Sequence, residues 1–162
     1  SAAQLSTQAG IEIPQLVMVC PGTPEDFEKL QADIAAHPFA NHITLLPQQA
    51  DLSSAYKDAD VFALASLWEA RAYVIVEALS YGTPVVGYDI DGSAEAVDSG
   101  KSGLLVPLGD EKAFAQALVK LLSNRDLASE YGSYGASEMM RRFSMDTMID
   151  GLLSVYSHVH NK

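Results

Sequence analysis

The run from Phe62 to Leu79, Phe-Ala-Leu-Ala-Ser-Leu-Trp-Glu-Ala-Arg-Ala-Tyr-Val-Ile-Val-Glu-Ala-Leu, leaves the chain little choice of local structure. Its apolar opening, Val61 to Ala65, has the length of one strand and no polar alternation, as expected of a strand buried on both faces of a parallel sheet. A turn-like gap, Ser66 to Ala72, follows. A second apolar run, Tyr73 to Leu79, leads into Ser80-Tyr81-Gly82-Thr83-Pro84, and Gly then Pro after a periodic run is a helix stop. The unit is strand, loop, helix, with Glu69 in the loop and Glu77 one turn inside the helix.

Glu77 stands out on that helix. Its neighbours at three and four residues, Tyr73, Val74, Ser80 and Tyr81, are not basic, so no helical ion pair is available. A carboxylate on so apolar a helix is costly to bury unless something hydrogen-bonds it. Two readings stay open: Glu77 lies on a solvated edge or bonds Ser80, or its partner is a ligand donor such as a pair of hydroxyls. Glu69 favours the second. It lies at the C-terminal end of a parallel strand, where open α/β sheets bind ligands, and the next helix points its free N–H groups at the same place. Two acids and an anion-binding helix start in one βα unit suit a ligand with both phosphate and sugar hydroxyls.

The flanking segments repeat the alternation. Residues 4–10 read as the tail of a helix stopped by Gly10. Gln15 to Cys20 is a buried strand, Pro21-Gly22-Thr23 a turn, and Glu25 to Ala36 a helix started by Thr23 or Pro24. Ile43 to Leu46 is a short strand ending at Pro47, and Leu52 to Ala59 a short helix capped by Asp51 or Ser53. Pro84 to Tyr88 and Gly103 to Pro107 are strands on either side of a short helix opened at Asp91. Asp110 caps a helix to about Leu122, Asn124 starts one to about Arg142, and Ser144 to about His160 is the last. Strands alternating with helices imply an α/β fold: a doubly wound, Rossmann-like parallel sheet of roughly five strands with helices on both faces, in a single domain over 1–162.

With 162 residues, 48% of them hydrophobic, the chain can build one real core. Its net charge of −11 disfavours nucleic acid and anionic membrane as partners. The single cysteine, Cys20, excludes an internal disulfide and reads as a small buried hydrophobe. No apolar run approaches the length of a membrane span and no signal peptide is visible, so the expected location is cytoplasmic. His37, His42, His158 and His160 show no metal spacing with the carboxylates of the central unit, and His158 and His160 are expected in solvent. The Met139-Met140 pair and Tyr131 and Tyr134 read as packing residues.

The ordered set Asp51-Leu52, Tyr56-Lys57-Asp58-Ala59-Asp60-Val61-Phe62, Ser66-Leu67-Trp68-Glu69, Glu77-Ala78-Leu79, Gly82-Thr83-Pro84-Val85-Val86 and Gly103-Leu104-Leu105-Val106 resembles the C-terminal half of retaining GT-B glycosyltransferases, closest to family 4. The step of eight residues from Glu69 to Glu77 matches that group's E-x7-E motif. The resemblance implies a donor-binding half that takes a nucleotide-diphosphate sugar, faces an N-terminal acceptor domain absent from this chain, and needs no metal. It implies that Glu69, the candidate catalytic residue, contacts the donor sugar and that Glu77 accepts hydrogen bonds from the ribose hydroxyls. The backbone N–H groups of Tyr73 and Val74 meet the distal phosphate, and the turn at Pro47 lies along the nucleobase. Arg71 has two readings, an exposed loop arginine or a guanidinium that reaches the diphosphate or pairs with Glu69. Glu95 reads as a capping carboxylate. The donor-binding set is thus Glu77, Arg71, Ala72, Tyr73, Val74 and Pro47.

Three departures accompany the resemblance. The loop Ala70-Arg71-Ala72 replaces the small or glycine residues usual there, and alanine resists positive φ at a cost of roughly 1 kcal/mol. The domain's first strand, with the Arg and Lys that hold the diphosphate, is missing and leaves an open edge beside Gln15 to Cys20. The acceptor domain is missing too, and membrane contact at the inner face, if any, belongs to it. A nucleotide-sugar 2-epimerase shares this architecture, and a nucleotide-sugar-binding module without catalysis is compatible with the Ala-Arg-Ala loop. A receiver-like regulatory module lacks its acidic pair here, with Cys20, Pro47 and Tyr88 at the strand ends.

Overall fold

The computed structural model describes residues 12–20 and 22–160, together with Ser6 and Gly10. Ser6 is helical and Gly10 turns with φ of 70°; the rest of the helix expected over 4–10 lies outside the described residues, as does Pro21. The elements are β1 Leu16–Cys20, α1 Pro24–Ala35, β2 Ile43–Pro47, α2 Ser53–Asp58, β3 Phe62–Leu64, α3 Tyr73–Ser80, β4 Val85–Tyr88, α4 Asp91–Ala96, β5 Gly103–Val106, α5 Glu111–Leu122, α6 Arg125–Phe143 and α7 Met145–His160.

Their ends follow local chemistry. The Thr23 hydroxyl accepts the Asp26 N–H at 3.2 Å while the Asp26 carboxylate accepts the Thr23 N–H at 2.8 Å, a capping box that starts α1. Asp110 and Asn124 cap α5 and α6 through the N–H groups of Ala113 and Leu127. Helix α3 stops at Gly82, whose φ is 81°. There the Gly82 N–H reaches the Leu79 carbonyl at 2.9 Å and the Thr83 N–H the Ala78 carbonyl at 3.0 Å, the paired bonds of a Schellman motif.

All pairing is parallel, in two ladders, β1 with β2 and β3–β4–β5. The expected α/β, Rossmann-like class holds, with the strand pairing interrupted between the ladders. In the second ladder the period of two separates two cores. Phe62, Leu64, Val85 and Leu105 face one cluster, with Tyr56, Ile75, Ala78, Leu79, Ala96, Val97 and Met139. Val61, Val86, Leu104 and Val106 face the other, with Ala117, Leu121 and Tyr131 from α5 and α6. Helices therefore cover both faces. Helix α6 reaches the end of α3 through Gly132, where a Cβ would lie 1.9 Å from the Gly82 carbonyl oxygen.

The first ladder differs. No described residue between 12 and 51 is fully buried, and Leu16 and Val17 are 45% and 54% exposed. Cys20, expected in the core, is only half-buried because nothing covers that ladder's second face among the described residues. Met139 and Tyr131 are packed as expected, while Met140 turns to solvent and the Tyr134 hydroxyl donates to Asp98 at 3.0 Å. His158 is exposed, as expected; no described helix is long and apolar enough to cross a membrane.

Candidate functional site

The loop from β3 to α3 is held from the side by α4. The Gly92 N–H donates to the Glu69 carbonyl at 3.2 Å, and a Cβ on Gly92 would lie 2.6 Å from that oxygen. Only glycine admits this approach. With its backbone fixed there, Glu69 is half-buried, and its carboxylate takes no hydrogen bond from the described residues. The Ala70-Arg71-Ala72 segment meets no steric penalty: no non-glycine residue among those described has positive φ, and Ala72 sits at φ −79°.

The same docking decides the fate of Arg71. Its guanidinium lies 3.2 Å from Glu95 on α4, one turn beyond Gly92, rather than beside Glu69. Glu95 is accordingly an ion-pair partner and not a cap; its backbone carbonyl also accepts from Arg142. Both side chains of the pair are half-exposed, so it fixes geometry more than it adds stability.

Helix α3 begins at Tyr73 with Ala72 as an N-cap that supplies no side-chain acceptor. The Tyr73 N–H, expected to be free for a phosphate, already donates to the Arg71 carbonyl at 3.0 Å. Its place is taken internally because the tight loop folds back on its own carbonyl. The Val74 N–H has no backbone acceptor among the described residues and remains the donor available at this helix start. Tyr73 and the loop tip Leu67-Trp68 are solvent-facing, with Trp68 78% exposed.

Glu77 lies one turn below Tyr73, on the same helix face. It is exposed, yet it has a partner in the fold: the Tyr56 hydroxyl of α2 donates to Oε2 at 2.9 Å. The expected bond to Ser80 is not made, since that hydroxyl donates to the Val76 carbonyl at 2.7 Å. Glu77 Oε1 takes no hydrogen bond from the described residues. Burial, then the hydrogen bond to Glu77 and its charge, raise the Tyr56 phenol above its ordinary pKa, so it stays a donor.

Tyr56 and Glu77 open onto a groove of about 390 Å³ whose other walls are residues 49–53 and Tyr81. Residues 49–53 leave the C-terminal end of β2, and Gln49 Nε2 donates back to the Pro47 carbonyl at 2.8 Å. Asp51 accepts the Ser53 N–H at 2.8 Å and so starts α2. Pro47, two residues before that wall, does not itself line the groove, and Glu69, Arg71 and Ala72 lie in the loop that leads into the helix carrying Glu77. Tyr56, Gln49, Asp51 and Ser53 escaped sequence reasoning as site residues. Helical spacing offers Glu77 partners only one turn away, whereas Tyr56 comes from 21 residues upstream.

The family model for "Glycosyl transferases group 1" matches residues 1–138. The chain belongs to the glycosyl transferases group 1 family. It is 36% identical over 148 residues to a phosphatidyl-myo-inositol mannosyltransferase of Mycobacterium leprae, covering 90% of this chain and 38% of that relative. The group 1 fold is also that of a glycosyltransferase from Rickettsia africae ESF-5, at TM-score 0.83 and 22% identity over 98% of this chain and 43% of that one. Anabaena Alr3699/HepE, solved in complex with UDP and glucose, aligns at TM-score 0.81 and 21% identity over 96% and 44% of the two chains. This group 1 chain thus spans well under half of each protein compared.

Proposed function

We propose that this chain is the donor-binding, C-terminal half of a retaining GT-B glycosyltransferase of family 4 type, and that the full-length protein transfers a sugar from a nucleotide-diphosphate sugar to a hydroxyl acceptor. The observation that carries this is Glu77: an acceptor-only carboxylate with one oxygen bonded by Tyr56 and the other without a protein donor, at a groove formed where β2 ends. That chemistry suits vicinal ribose hydroxyls. Family membership and the likeness in fold to a protein solved with UDP and glucose support the same reading.

In this proposal the nucleobase runs past Pro47 and the ribose meets Glu77. The diphosphate meets the Val74 N–H at the positive end of α3, with further cationic groups supplied from outside this chain. Glu69 faces the donor sugar and stabilises charge that develops at its ring as the diphosphate departs. Ala72 and Tyr73 shape that end of the site. Arg71, tied to Glu95, orients the loop and approaches the diphosphate only if that exposed pair opens. No resident metal is invoked. The acceptor binds the N-terminal half, and the location is cytoplasmic, with any contact at the inner membrane face made by that half.

The test supplies the full-length protein with UDP-, GDP- and ADP-sugars and hydroxyl acceptors, and reads the product anomer by NMR. Transfer with retained configuration is expected, and Glu69→Gln should abolish most of it. An inverted product, or turnover unchanged by Glu69→Gln, contradicts the proposal. The 162-residue chain alone should be inert, since transfer needs the acceptor half.

A further inference from the structure

We propose that Tyr56 is a positioning residue for ribose recognition, its hydroxyl fixing the Glu77 carboxylate so that the free oxygen is presented to the sugar's hydroxyls. This rests on the reading of Glu77 given above. A glutamate on an exposed helix face has three rotatable bonds and samples many rotamers, so a carboxylate meant to accept from two adjacent hydroxyls needs something to hold it.

Tyr56 can do the holding because it cannot follow the glutamate. It is only 5% exposed. Its ring meets Phe62 edge-on at 5.6 Å between centroids and lies nearly parallel to Tyr81 at 6.0 Å. Its backbone carbonyl accepts the hydroxyl of buried Thr83. The phenol has a single proton to donate, and at 2.9 Å that proton goes to Oε2. One carboxylate oxygen is thus anchored before any ligand arrives. Both side chains line the same groove.

A purely structural bond between α2 and α3 makes a different forecast, and ligands lacking the hydroxyls separate the two. In the full-length protein, calorimetry compares UDP and GDP with their 2′,3′-dideoxy counterparts for wild type, Tyr56→Phe and Glu77→Gln. Tyr56→Phe keeps the ring packing and should weaken the ribose ligands about three- to tenfold while changing the dideoxy ligands less than about twofold. Equal losses for both ligand types, affinities like those of the wild type, or a variant that does not fold would each overturn the positioning role. Glu77→Gln locates the fault: if it erases the ribose preference while Tyr56→Phe keeps it, only the Tyr56 inference falls. If Glu77→Gln keeps the preference, or the wild type binds neither diphosphate, the reading of Glu77 falls and this inference with it.

Discussion

In the ladder β3–β4–β5 every residue of the central strand, Val85–Tyr88, is buried, whereas in β1–β2 Leu16 and Val17 stand half in solvent. Both ladders are parallel, and both are written as short runs of Val, Leu and Ile. The difference is cover. The second ladder lies between α3 and α4 on one face and α5 and α6 on the other. Among the described residues the first is met by α1, which buries no residue of its own. An apolar run records the capacity to be buried; burial itself needs a layer on each face. The candidate groove lies along the seam between the two regions, walled by the segment that leaves β2 and by α3.

Core truncations test that division hardest. Leu79→Ala, at a fully buried position of α3, should cost about 2–5 kcal/mol, while Leu46→Ala in β2 should cost about 1 kcal/mol or less. Urea unfolding of both variants checks this, and equal losses would erase the distinction between the ladders.

Binding gives the next effect. Glu77→Gln in the full-length protein should weaken nucleoside diphosphate binding at least about tenfold, the equivalent of about 1.4 kcal/mol, through loss of charge-assisted bonds. Stability should move by less than about 0.5 kcal/mol because Glu77 is exposed. Isothermal calorimetry paired with thermal melts separates the two quantities.

Opposite ends of the pH scale should loosen the two regions. Hydrogen bonds from the Thr23 side chain and backbone hold the Asp26 carboxyl below its ordinary 3.8. A lowered folded pKa gives stability that is present above 3.8 and lost as pH falls through the folded value, so acid should fray α1 first. Tyr56 is the reverse case. Its pKa is raised above the ordinary 10.0, so its contribution is full below that pH and is lost as pH rises beyond it. Circular dichroism across the alkaline range should show a decline starting near pH 10 that Tyr56→Phe reduces.

The smallest effect belongs to the exposed pair of Arg71 and Glu95. Arg71→Ala should leave the thermal midpoint close to that of the wild type, and salt should shrink any change further. A larger loss would mean that the loop is fastened by its side chain rather than by the backbone seat on Gly92.

Most of the fold was legible because its elements carry local signals: the capping box at Thr23, the Schellman glycine Gly82, and the unbroken apolar runs of β3 and β4. The break in pairing between β2 and β3 was not, since strand partners are chosen by distant segments. In the site, Glu69, Ala72 and the loop before α3 fell where the strand–loop–helix pattern put them. The partners did not. Arg71 went to Glu95 because Gly92 lets α4 press against the loop, and the Tyr73 N–H closed on Arg71 within the loop itself. Glu77 found Tyr56 across the space between two helices, and no spacing rule along one helix contains that contact.

Native-state hydrogen exchange on the 162-residue chain tests the central contrast most directly. Amides of Val85–Tyr88 should exchange only through global unfolding, while those of Leu16–Cys20 and residues 43–46 exchange through local opening at least about a hundredfold faster. Equal protection in the two ladders would contradict the account.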